Sequence, residues 1–155
     1  MQFRCGTMTQ EEAEIIAKWH YSGSYSFYDM EADQEDLEEF IHPDTRGDHY
    51  FSVYDNDELA GFLCLIPTES GIVDIGLGLK PEFTGKGIGL VFLRFAIELA
   101  LEKYAPHTLT LSVAAFNRRA ITVYERAGFV PQHTFMQSTN GGRFEFVRMK
   151  YTVQR

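Results

Sequence analysis

The sequence predicts a mixed α/β fold, with one largely antiparallel sheet and helices on its faces. Three observations predict it. Short apolar or alternating runs recur along the chain and read as seven strands. Four stretches carry apolar residues at helical intervals, two of them behind clear capping residues. Turn residues at Asp55-Asn56-Asp57 and Asn140-Gly141-Gly142 join neighbouring strands as hairpins.

Composition bounds the class. A chain of 155 residues is the size of one domain, here taken as 1–155, and is 45% hydrophobic and 23% charged. With 14 basic and 22 acidic residues, the net charge is −8. That argues against nucleic acid and an anionic membrane surface as partners, and mildly for cationic substrates. Two cysteines, Cys5 and Cys64, make neither a disulfide framework nor a metal cluster, so no metal site is expected. The N-terminal residues hold no apolar leader core and no run reaches a membrane span, which makes the cytoplasm the expected compartment.

Gln2–Thr7 reads as a strand. Thr9-x-x-Glu12 has capping-box spacing and opens a helix to about Trp19, with Ala13, Ile16 and Ala17 at helical intervals. His20–Met30 is a Ser/Tyr-rich loop, and Asp33–Ile41 a short acidic helix. His49–Tyr54 and Leu59–Ile66 form a hairpin, ended by Pro67. In the next strand, Ile72–Leu79, apolar Val73, Ile75, Leu77 and Leu79 share one face; Asp74, Gly76 and Gly78 leave the other nearly bare. Glycine inside a strand often marks a close approach by a ligand or another backbone. Gly87–Tyr104 is the longest helix, with Arg94, Glu98 and Glu102 as its exposed line. Leu109–Val113 is a strand. Asn117 caps a helix that stops at Gly128, and Phe129–Phe135 and Phe144–Tyr151 form the last hairpin.

Two constellations carry chemistry. The first is Pro81-Glu-Phe-Thr84-Gly85-Lys86-Gly87-Ile88-Gly89. A glycine-rich turn that opens a helix presents several N–H groups at the positive end of the helix dipole, a cradle for phosphate, and Lys86 adds charge. A Walker loop would need Ser or Thr where Gly87 stands, and the dinucleotide fingerprint would need glycine at Leu90. A tight turn requiring positive φ is the other, less favoured reading of the glycines. The second is Asn117 to Phe129, in which Asn117, Ala120, Ile121 and Tyr124 share one helix face. Taken alone, Asn117 is an N-cap and Tyr124 a core aromatic with a bonded hydroxyl.

In this order and spacing the two constellations resemble the GNAT superfamily of acyl-CoA-dependent N-acetyltransferases. Thr84-Gly85-Lys86-Gly87-Ile88-Gly89 is similar to its Q/R-x-x-G-x-G/A motif, with Thr84 in place of Gln or Arg. Asn117, Ala120, Tyr124, Glu125, Gly128 and Phe129 match its N-x-x-A-x-x-x-Y-E-x-x-G-F motif. The resemblance implies a seven-stranded sheet splayed between strands 4 and 5, about four helices, and acetyl-CoA as cosubstrate. It puts the pantetheine arm on the backbone of Leu77, Gly78 and Leu79, and the diphosphate on Gly85, Lys86, Gly87, Ile88, Gly89 and Leu90. It puts Asn117 on the pantetheine and Tyr124 near the sulfur, where a hydroxyl can protonate a leaving thiolate.

Asp74 is the one carboxylate on the bare strand and a candidate base, though a solvated strand-start acid reads as well. Ser112, on the facing strand, stands where some family members carry a carboxylate and would position a water. A water chain or a residue of 20–42 is a third source of the base. The five histidines show no ligand spacing. Asp29–Glu39 holds seven acidic residues and no basic one, either a solvated helix face or a lip for an ammonium-bearing acceptor, with Tyr21, Tyr25, Phe27 and Tyr28 as an aromatic wall. The resemblance implies a primary amine as acceptor, on a small molecule, with a cationic one expected from the charge, or on a protein. A non-catalytic acyl-CoA sensor on the same fold is the alternative, and a homodimer is the assembly the family makes common.

Overall fold

A computed structural model describes residues 2–154. The chain runs β1 (Phe3–Thr7), α1 (Gln10–Ile16), two 3-10 segments (Gly23–Tyr28 and Met30–Ala32), α2 (Gln34–Ile41), α3 (Pro43–Arg46), β2 (Tyr50–Asp55) and β3 (Glu58–Glu69). It continues through β4 (Ile72–Leu79), a 3-10 turn (Pro81–Phe83), α4 (Gly89–Tyr104), β5 (Thr108–Ala114), α5 (Arg118–Ala127), β6 (Val130–Thr139) and β7 (Gly142–Thr152). The strands form one seven-stranded sheet, β1-β2-β3-β4-β5-β7-β6. Every pairing is antiparallel except β4 with β5. No helix is long and apolar enough to cross a membrane.

Each face of the sheet buries its own core. Phe92, Leu93, Ala96, Ile97 and Ala100 of α4 pack on Leu63, Leu65, Val73, Ile75, Leu109 and Leu111, and α5 extends that layer. Met8, Ala13, Ile16, Ala17 and Phe40 bury the other face under α1 and α2. The capping box at Thr9 forms as expected: Glu12 N–H donates to Thr9 Oγ1 (3.1 Å) and Thr9 N–H to Glu12 Oε1 (2.9 Å). Buried Arg46 ties the two helices by donating to Phe40 C=O (2.7 Å) and Gln10 Oε1 (2.8 Å).

Four expectations need correction. The first helix tightens after Ile16, where Lys18 and Trp19 N–H reach Ile15 and Ile16 C=O, a 3-10 ending. A one-turn helix, α3, joins the four expected. The long helix begins at Gly89, because Gly87 has φ +76°. Pro67 does not end its strand: β3 runs on to Glu69 and pairs Pro67 with Val73. The reason is the side on which its missing donor falls. Lys80 N–H donates to Ala60 C=O (2.8 Å), so even-numbered residues of β4 bond to β3 and the Pro67–Val73 pair is non-bonded. The nitrogen of Pro67 therefore points away from β4, toward a flank that β2 has already left.

Candidate active site

The two middle strands part company. β4 and β5 pair only at Ile72↔Thr108, Val73↔Leu109 and Asp74↔Thr110. Beyond Asp74, β4 stays with β3 as far as Leu79, and β5 stays with β7 as far as Ala114. A wedge-shaped gap opens between them. The alternation set by Lys80 and Ala60 turns the N–H and C=O of Leu77 and Leu79 into this gap and those of Gly78 toward β3. Gly78 serves the site by lacking a side chain: a β-carbon there would stand 2.4 Å from Phe62 Cε1. Part of the bareness read from the sequence is thus filled by the ring of Phe62.

The glycine turn lies at the mouth of the gap. Gly85 and Gly87 adopt φ +73° and +76°, and α4 starts without a side-chain cap. The first amides of α4 therefore face outward at the positive end of a 16-residue helix. Thr84 turns inward, its hydroxyl donating to Pro81 C=O at 2.7 Å. Lys86 is exposed.

Across the gap stands α5. Asn117 Oδ1 accepts from Ala120 N–H (3.1 Å), the expected cap, while its Nδ2 donates to the Tyr28 hydroxyl (3.0 Å). Tyr124 follows two turns later against Phe129, with ring centroids 6.2 Å apart. Burial pushes the Tyr124 phenol well above its ordinary value, and the neighbouring Tyr28 adds to the shift. On the opposite wall the Tyr21 hydroxyl donates to Leu79 C=O at 2.7 Å. One loop thus sets one tyrosine hydroxyl on each side of the gap. Phe27 and Tyr28 pack on Phe116, and Phe27 on Phe144, which fastens that loop to the β5–α5 corner and to β7.

At the apex, Asp74 and Ser112 do not stand free. Asp74 Oδ1 pairs with Arg148 Nη1 (2.9 Å) and accepts from Thr110 Oγ1 (2.7 Å). Arg148 also donates to Ser112 Oγ and to Thr110 Oγ1, each at 3.0 Å. The sequence reading missed Arg148, whose only signal was the register that faces it with Ser112.

The acidic stretch divides in two. Asp29, Glu31 and Asp33 are occupied: Asp29 accepts from Tyr21 N–H, Glu31 meets His20, and Asp33 accepts from Asn140 N–H (2.8 Å) and Thr139 Oγ1 (3.1 Å). On α2, Glu35, Asp36, Glu38 and Glu39 have no ion-pair partner among the described residues. Burial and then the neighbouring carboxylates Asp33, Glu39 and Glu35 raise the Asp36 carboxyl. Nearby, Ile16, Trp19, Tyr21, Tyr28, Met30 and Phe62 line a small cavity. Tyr25, Phe27 and Tyr28 gather around Phe116, and Tyr25 holds Arg119 of α5 over its ring, at 4.3 Å. No metal-binding group of His, Cys, Asp or Glu occurs among the described residues.

The parted sheet carries strand-edge backbone groups on one wall, an uncapped glycine turn at its mouth and the half-buried Tyr124 phenol on the other wall, a shape that fits a phosphate-bearing acyl carrier. Residues 13–129 match the acetyltransferase (GNAT) family, and the chain belongs to it. It is an acyl-CoA N-acetyltransferase. The acetyltransferase PseH of Campylobacter jejuni is 26% identical over 128 residues, 79% of each chain. The spermidine N(1)-acetyltransferase of Vibrio cholerae is 30% identical over 77 residues, 49% of this chain and 44% of that one. Among solved structures, the fold is shared with spermidine N-acetyltransferase from Vibrio cholerae in complex with CoA and spermine, at TM-score 0.78 and 21% identity, covering 97% of this chain and 95% of that one. It is also shared with AAC(6')-Ib in complex with ribostamycin and coenzyme A, at TM-score 0.76 and 22% identity, covering 98% and 94%.

Proposed function

We propose that this enzyme moves an acetyl group from acetyl-CoA to a primary amine by direct attack in a ternary complex, and that a cationic amine is the acceptor. The observation that carries the reading is the gap beyond Asp74 and Thr110, with the glycine turn at one end and Tyr124 on its far wall. The residues present suit the coenzyme. The amides of 85–90 hold its diphosphate, and the inward edge groups of Leu77 and Leu79 bond an amide-bearing arm. Leu79 C=O already accepts from Tyr21, so its N–H is the group left for that arm.

When bound, acetyl-CoA supplies an activated acetyl thioester whose sulfur leaves as an amine attacks. Tyr124 holds a proton for that sulfur; any phenol carries it at neutral pH, and burial holds it more firmly still. Tyr21 and Tyr28 place one hydroxyl on each wall of the gap. Asn117 fixes the start of α5 and, through Tyr28, the loop. Asp74, held by Arg148, keeps the apex polar and closed rather than serving as a free base. Ser112 accepts from Arg148 and, being exposed, keeps its own hydrogen to position a water that passes the amine proton on to bulk solvent. Direct attack is supported by the thiols. Burial pushes Cys64 up to about 11 and also raises Cys5, so neither is a thiolate at neutral pH.

The acceptor reading rests on the four α2 carboxylates without cations and on the relative named for spermidine, a polycation. We also read residues 1–155 as one catalytic domain in the cytoplasm, where unpaired Cys5 and Cys64 stay reduced. The test is release of free CoA thiol across a panel of amines, run beside CoA calorimetry. Turnover on polyamines or other cationic amines is expected. Coenzyme binding without turnover on any amine gives the sensor reading, which the occupied Asp74 favours. An absence of coenzyme binding ends both.

A further inference from the structure

We propose that Arg119 grips a phosphate of the coenzyme, supplying the side-chain contact that Thr84 cannot make; this rests on the glycine turn being the diphosphate cradle. The Thr84 hydroxyl is spent inside its own turn on Pro81 C=O, at 2.7 Å. Arg119 reaches the same turn from the other wall of the gap. Its Nη1 lies 3.4 Å from where a β-carbon on Gly85 would stand. Gly85 has no such atom, so the guanidinium and the outward amides of the turn border one open space.

The guanidinium is also prepared for the task. It lies over the Tyr25 ring, 4.3 Å from the centroid, and no carboxylate pairs with it among the described residues. Stacking on a ring leaves the five N–H donors at the edge of the plane free, and their fork matches two phosphate oxygens at once. A guanidinium already oriented by Tyr25 loses less freedom when the anion arrives. Lys86, a compact charge on a flexible exposed stem, offers no such fork. Arg119 comes from the same helix as Tyr124, and that helix already packs against the start of α4, where Val123 lies beside Gly89.

The test is titration calorimetry of the full chain with CoA, 3′-dephospho-CoA and pantetheine, on wild type, Arg119→Gln, Arg119→Lys and Arg126→Gln. Arg126→Gln removes the same charge about 10 Å further along α5. Arg119→Gln is expected to raise the Kd for CoA about tenfold, the scale of one charge-assisted contact. Arg119→Lys should recover part of this, Arg126→Gln should change Kd less than about twofold, and pantetheine, measured by displacement, should bind all four alike. A loss that persists with 3′-dephospho-CoA assigns the grip to the diphosphate; one that vanishes assigns it to the 3′-phosphate; either supports the proposal. Equal CoA affinity for wild type and Arg119→Gln overturns it and leaves the enzyme reading intact. An equal loss on pantetheine also overturns it, since Arg119 would then be structural, and the thermal midpoint of Arg119→Gln would fall with it. Wild type that binds no CoA removes the coenzyme reading itself.

Discussion

Arg148 holds Asp74 at 2.9 Å across the point where β4 and β5 separate. The pair marks the last rung of the parallel ladder, and Thr110 and Ser112 complete the network. Both side chains are about a third exposed (30% and 33%), so solvent screens their attraction. We expect Asp74→Asn and Arg148→Gln each to lower stability modestly, with a coupling in the double-mutant cycle of about 1 kcal/mol or less. Asp74→Asn should keep most of kcat. A fall in kcat of about a hundredfold or more, with the thermal midpoint unchanged, would return Asp74 to the role of general base.

Tyr124→Phe should lower kcat about a hundredfold or more and change the Kd for CoA by less than about twofold. The sign of the pH effect follows from burial. A phenol raised above its ordinary value stays protonated as pH climbs and gives up its proton only above about pH 10. The kcat profile of the wild type should therefore show no alkaline decline from this group between about pH 7 and 9. Unchanged kcat in Tyr124→Phe removes it from the acid role.

The glycines of the central strands should rank by what a β-carbon meets. On Gly61 it would lie 2.5 Å from Gly78 C=O and 2.8 Å from Phe92, on Gly78 2.4 Å from the far end of the Phe62 ring, and on Gly76 3.5 Å from Cys64. Gly61→Ala should cost most, about 3 kcal/mol, because a backbone carbonyl cannot turn aside. Gly78→Ala should cost about 1–2 kcal/mol and be relieved by Phe62→Leu, while Gly76→Ala stays near wild type. Urea midpoints of the three variants check the order.

Uncompensated charge on α2 predicts that KM for a polyamine rises severalfold between about 50 and 500 mM salt, while KM for a neutral amine holds steady, since screening acts on charge alone. Changing Glu35, Glu38 and Glu39 together to Gln should raise KM for the polyamine at low salt and flatten its salt dependence. A polyamine KM indifferent to both salt and these substitutions would make α2 a solvated face and nothing more.

Much of this was legible in the chain because it is governed by local chemistry. The Thr9 box, the Asn117 cap, the left-handed stop at Gly128 and the positive-φ glycines of the turn before α4 are set by a few neighbouring residues, and each formed where the sequence put it. Pro67 misled because its tolerance depends on which neighbour is missing on one flank, a property of the sheet and not of the run of residues.

The sequence alone determined the order of the strands and the four longer helices and the identities of the turn, the cap and the half-buried tyrosine, since backbone conformation and helical spacing are short-range. Only the tertiary structure decided who stands opposite whom. It set Arg148 on Asp74, Tyr28 on Asn117, Tyr21 on Leu79 and Arg119 beside Gly85. Those partners lie 34 to 89 positions apart in the chain, and they meet because two sheet halves diverge and a single loop bridges the opening between them.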